Sequence, residues 1–149
     1  MRKINPPSKD WKYGGFEELV LDLGVSSEAI PLPNDIELGQ PKNCYFNCRE
    51  IIKERSDLIY CEGFALVQDL PLAFSHAWLL DSQGKAIDPT WETPGIEYMG
   101  VPFNNQWAID FIEQRKYPEE YLSVFEGNFL EKYSLLKEGL SESAHKIKE

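Results

Sequence analysis

The chain has 149 residues, enough for one ordinary domain with a real core, and its 42% hydrophobic and 27% charged content are ordinary globular values. A net charge of −10 with a pI near 4.7 argues against a phosphate backbone as the main partner, because such binders need a basic face. The apolar stretches are far shorter than a membrane span, and Arg2 and Lys3 are not followed by the apolar run of a secretory signal.

Residues 1–15 are punctuated by proline and glycine and are expected to hug the surface. Phe16, Leu19, Val20 and Leu23 then fall at helical spacing, with Gly24 ending the run. Residues 30–41 hold Pro31, Pro33, Gly39 and Pro41 and form a loop. Asn43 is a favoured N-cap, so a helix starts with Cys44 at its first position and turns Cys44, Cys48, Ile51 and Ile52 to one face. From residue 58 the period changes to two. Residues 58–67 form a strand with Ile59, Cys61 and Gly63 on one face and Tyr60, Glu62 and Phe64 on the other. A second strand covers 75–81, a third begins at 85–89, and Ser82-Gln83-Gly84 joins them as a tight hairpin. Helices follow at 107–114 and 119–137, and the polar tail 141–149 is expected to fray. The layout is α+β, a single domain over 1–149 with its core at about 39–103 and its C-terminal helices at about 104–138.

Cys44, Cys48 and Cys61 are an odd number without a signal peptide, which points to reduced thiols and a cytoplasmic location. No cofactor is expected. Cys44 stands apart because a sulfur at a helix N-terminus feels the positive end of the macrodipole, which favours thiolate. A nearby imidazole lowers a thiol further, to about 3.5–7.5 against about 8.5 when free. His76 can supply that ring, and Asp88 can fix its tautomer if the hairpin register allows. A three-residue loop puts Asp88 opposite Trp78 and makes His76 and Asp88 diagonal neighbours on one face. A two-residue loop puts them on opposite faces. Gly84 suits the left-handed last position of the three-residue form.

His76-Ala77-Trp78 followed by Asp88-Pro89-Thr90, with Cys44 upstream at a helix N-terminus, resembles the motifs of the transglutaminase-like superfamily. Tyr60-Cys61-Glu62-Gly63-Phe64-Ala65 is similar to the strand between its Cys and His motifs, and Tyr98-Met99-Gly100-Val101-Pro102-Phe103 resembles small bacterial and phage proteins of this kind. The likeness covers roughly Gly39 to Phe103. Lys42 and Asn43 stand where the family usually has a Gly-x-Cys lead-in. The resemblance implies a papain-like core, with N-terminal helices packed on an antiparallel sheet. It also implies a Cys44-His76-Asp88 triad that acts on a peptide or small amide through a thioester. Gln40 and Trp78 are the candidate oxyanion and substrate-binding residues, with the Cys44 backbone N–H as a further donor.

Blander readings use the same residues. Cys44 can be a buried small hydrophobe, and Cys48 and Cys61 are read as packing. Trp78 and Trp91 are read as packing residues that also line the cleft, Glu62 as a solvated strand position, and His145 as a tail residue without a catalytic part. A Cys44, Cys48, Cys61, His76 zinc set is disfavoured, because only Cys44 and Cys48 have the spacing of a ligand pair. The alternatives to an enzyme are a catalytically inactive binding module for a peptide or small ligand, and a partner-binding protein. In the latter, Phe111, Ile112, Tyr121, Phe125, Phe129 and Tyr133 would carry the contacts.

Overall fold

The computed structural model describes residues 10–145. Among them the regular elements run α1 (Phe16–Leu23), β1 (Val25–Ser27), α2 (Cys44–Ile52), β2 (Ile59–Leu66), β3 (Ala73–Leu80), β4 (Ala86–Ile87), β5 (Glu97–Pro102), α3 (Asn105–Glu113) and α4 (Ser134–Glu138). A 3₁₀ turn at Asn128–Glu131 precedes α4. The architecture is α+β, with one antiparallel sheet in the order β1-β5-β2-β3-β4.

Period-two alternation gives this sheet two apolar faces. Tyr60, Ala77, Leu79, Ile87 and Val101 join Leu19 and Val20 of α1 and Cys44 and Cys48 of α2 in a layer between sheet and helices. Cys61, Ala65, Trp78, Leu80, Ala86 and Tyr98 form a second cluster on the other face. The chain after β1 covers that second cluster. Val25–Ser27 pairs with β5 at one rim of the sheet. The next residues reach the opposite rim, where Ala86 N donates to Glu28 O at 2.9 Å and Ile30 N to Ala86 O at 3.0 Å. One short ribbon thus joins both rims, and the sheet curls around Trp78.

Strand β5 lies inside the sheet, between β1 and β2, and is not anticipated in the sequence. Two expectations need correction. No single helix forms over 119–137. The buried Arg115 guanidinium instead donates to the backbone oxygens of Tyr121, Ser123 and Val124 and to the Glu131 carboxylate. The tail does not fray through residue 145: Ala144 is fully buried, and its carbonyl accepts from Asn104 N at 2.8 Å. The rest of that tail, 146–149, and residues 1–9 of the N-terminal segment lie outside the described residues.

Candidate functional site

The hairpin between β3 and β4 takes its three-residue form. Asp81 N donates to Lys85 O at 3.0 Å, Gly84 N donates back to Asp81 O at 3.0 Å, and Gly84 sits at φ 77°, a conformation that disfavours a side chain. Asp81 Oδ1 also accepts the backbone N–H groups of Gln83 and Lys85, both at 2.9 Å. With Leu79 opposite Ile87 and Leu80 opposite Ala86, Trp78 faces Asp88 and His76 becomes its diagonal neighbour. The two side chains meet: His76 Nε2 lies 2.9 Å from Asp88 Oδ2, with both residues almost wholly buried.

Four donors hold the Asp88 carboxylate. Oδ2 receives the Tyr98 hydroxyl at 2.7 Å besides the ring, and Oδ1 receives Thr90 N at 3.0 Å and Trp91 N at 3.1 Å. Burial alone would push this carboxyl up. The hydrogen bond and charge of His76, with those of Tyr98 and the Thr90 backbone, outweigh burial and hold it below its ordinary range. A carboxylate only accepts, so Nε2 carries the hydrogen of this contact and Nδ1 takes no part in it. Trp91 stacks on the imidazole with centroids 3.8 Å apart and planes 20° from parallel, so the ring is fixed on its flat face as well as at its edge.

Cys44 stands at the first position of α2, as expected, although Asn43 makes no side-chain cap. Its sulfur is approached by the backbone of Ala77, the residue after His76, and by the backbone of Tyr45. Sulfur and ring therefore reach the same strand at successive residues, the sulfur from the helix layer and the ring from the inner one. The expected thiolate is not favoured at rest. Burial pushes the Cys44 thiol up to about 12, the negative charges of Glu62 and Asp88 push it the same way, and the Ala77 and Tyr45 backbone hydrogen bonds oppose them without prevailing.

The two auxiliary candidates fare differently from the reading above. Trp78 is 1% exposed and belongs to the inner cluster, where it supports Tyr98 at 5.0 Å between centroids; it cannot wall a cleft. Gln40 is exposed, and its backbone is clamped by Asn47 through N to Oδ1 at 3.3 Å and O to Nδ2 at 2.9 Å. Asn47 was not singled out by the sequence, yet its Nδ2 also donates to Thr90 Oγ1 at 2.9 Å. One buried amide thus ties the loop before Cys44 to the segment after Asp88. Gly39 makes this possible: a Cβ there would lie 2.3 Å from the Asn47 amide carbon.

Glu62 is the other correction. It is 1% exposed rather than solvated. Its carboxylate accepts from Tyr60 OH at 2.6 Å, Ser123 Oγ at 2.8 Å, Val124 N at 2.7 Å and Phe125 N at 3.1 Å. These bonds dock the C-terminal segment under β2. Desolvation still raises its pKa, against the hydrogen bonds that lower it. No sequence period marks such a residue, because three of its four donors lie some sixty positions away.

Cys48 packs in the helix layer and Cys61 in the inner cluster, and burial pushes both thiols well up. Among the described residues no group of three or more His, Cys, Asp or Glu side chains is placed to hold a metal ion. Among them, too, no helix is long and apolar enough to cross a membrane. Comparisons of the chain with family models, curated proteins and solved structures find no match.

Proposed function

We propose that the chain is a cysteine-dependent acyl-transfer enzyme acting on an amide, built on a papain-like core of the transglutaminase-like type. The observation that carries this reading is the buried His76–Asp88 pair, held by three further donors to the carboxylate, with His76 one residue along the strand from the amide that meets the Cys44 sulfur. A thiol held protonated at rest needs a base at the moment of attack; that part falls to Nδ1 of His76, which has to reach the sulfur from the opposite face of β3. Sγ adds to the carbonyl carbon as its proton passes to the ring. The C–N bond then breaks, the imidazolium returns the proton to the leaving amine, and a thioester remains. Water, relieved of a proton by the same ring, attacks the thioester; the C–S bond breaks and the thiol is restored. The backbone N–H at the start of α2 is the donor for the oxyanion.

Acylation by p-nitrophenyl acetate tests the reading. An acetyl mass should appear on Cys44 before Cys48 or Cys61, and His76→Ala should slow it by about 10²-fold or more. Equal, slow acetylation of all three thiols would sink the mechanism. That result would favour the second reading, an inactive module that binds a peptide or small ligand, and the elevated Cys44 thiol is the observation on its side.

A further inference from the structure

The face of the sheet that carries α1 is not fully covered beside that helix. An open groove of about 610 Å³ lies there, floored by Phe64, Leu66, Ala73 and Met99 and walled by Val20 and Leu21 of α1. Ala73 lies on the same strand and the same face as Ala77, where the Cys44 sulfur rests. Four residues of strand separate them, about 13 Å at the usual rise. Between them the Ser75 hydroxyl is buried without a hydrogen-bond partner among the described residues. Leu21 is 71% exposed at the lip, and the carboxylates of Glu17 and Glu97 also line the groove.

From this arrangement we infer that the groove binds an extended peptide segment with apolar side chains on alternate residues and a lysine or arginine about four residues from the attacked carbonyl. This rests on the acyl-transfer reading and adds its substrate class. The apolar floor selects large aliphatic side chains by burial, and period two matches a chain laid along strands. The two carboxylates select the basic residue.

Binding is measured with Cys44→Ala protein, so that it does not depend on catalysis. The probe is a fluorescein-labelled peptide with leucine at alternate positions, glutamine between them and one lysine, followed by anisotropy. A partner probe carries glutamate in place of the lysine. The lysine probe should bind at least about fivefold more tightly, and a Glu17→Gln/Glu97→Gln variant should erase most of that difference while melting as before. Equal binding of the two probes, absent binding, or a preference that survives in the variant each overturns the inference. So does a dimer that Leu21→Asp dissolves, because a second copy would then be the occupant. Peptide binding with the expected preference but no acylation of Cys44 in the native chain would remove the enzymatic reading and leave the groove standing.

Discussion

Tyr98 gives its hydroxyl hydrogen to the same Asp88 oxygen that faces the His76 ring. The phenol also accepts Gly95 N–H at 2.7 Å, so it links the far side of the carboxylate to the turn before β5. Burial, followed by the Asp88 charge, raises the Tyr98 pKa and keeps the phenol a donor.

Tyr98→Phe should therefore destabilise the fold by about 1.5–3 kcal/mol at neutral pH, the range for a hydrogen bond to a charged group. Asp88 titrates below its ordinary 3.8 in the folded state, so its ionised form contributes stability above that value and loses it as pH falls through the folded pKa. The gap between wild type and variant should shrink across that acid window. Urea unfolding at neutral and acid pH measures it, and a gap independent of pH would separate Tyr98 from the carboxylate.

Glu62 behaves with the opposite sign. Its folded pKa is raised above 4.5, chiefly by desolvation, so its contribution is full below that value and is lost as pH rises through the folded pKa. Relative to a Glu62→Gln protein, wild type should lose stability over that window. Glu62→Ala should cost roughly 3 kcal/mol or more, since it leaves the Val124 and Phe125 amides buried without an acceptor. Chemical denaturation over a pH series reads both effects.

Alkylation of Cys44 by iodoacetamide should climb about tenfold per pH unit from about pH 7 to pH 10 without levelling, because only the thiolate reacts. The thiol stands near 12 at rest, which places the plateau beyond that range. Peptide mass mapping separates Cys44 from Cys48 and Cys61. A plateau near neutral pH would reveal a preformed thiolate–imidazolium pair.

Gly39→Ala should cost about 1–3 kcal/mol, as overpacking does, because the new methyl meets the Asn47 amide. Asn47→Ala removes the obstacle together with three hydrogen bonds. The double variant should consequently be more stable than the sum of the two losses implies, with a coupling of about 0.5–3 kcal/mol. Strict additivity in thermal unfolding would contradict the packing described.

Local signals carried much of the framework. Helix α1 was legible from Phe16, Leu19 and Val20, and β2 from a clean change of period. The register of Asp88 against Trp78 was one of two that the sequence allowed, and Gly84 at the end of a three-residue turn realises it. What stayed hidden depends on partners distant in sequence. Glu62 is an isolated acid on a strand until Val124 folds over it, and Asn47 is an ordinary helix residue until Gln40 and Thr90 arrive. The state of the Cys44 sulfur was misjudged for a related reason. Helix position and a neighbouring imidazole favour charge, but the depth of burial and two buried acids weigh more, and neither can be read from spacing.

The ribbon from Val25 to Ile30, by stitching β5 to β4, makes the two margins of the sheet depend on one another. A protease cut within it would release both margins together and bare Trp78 and Tyr98 to water. The cover over the Trp78 cluster thus shares the fate of a few backbone hydrogen bonds at the two rims of the sheet.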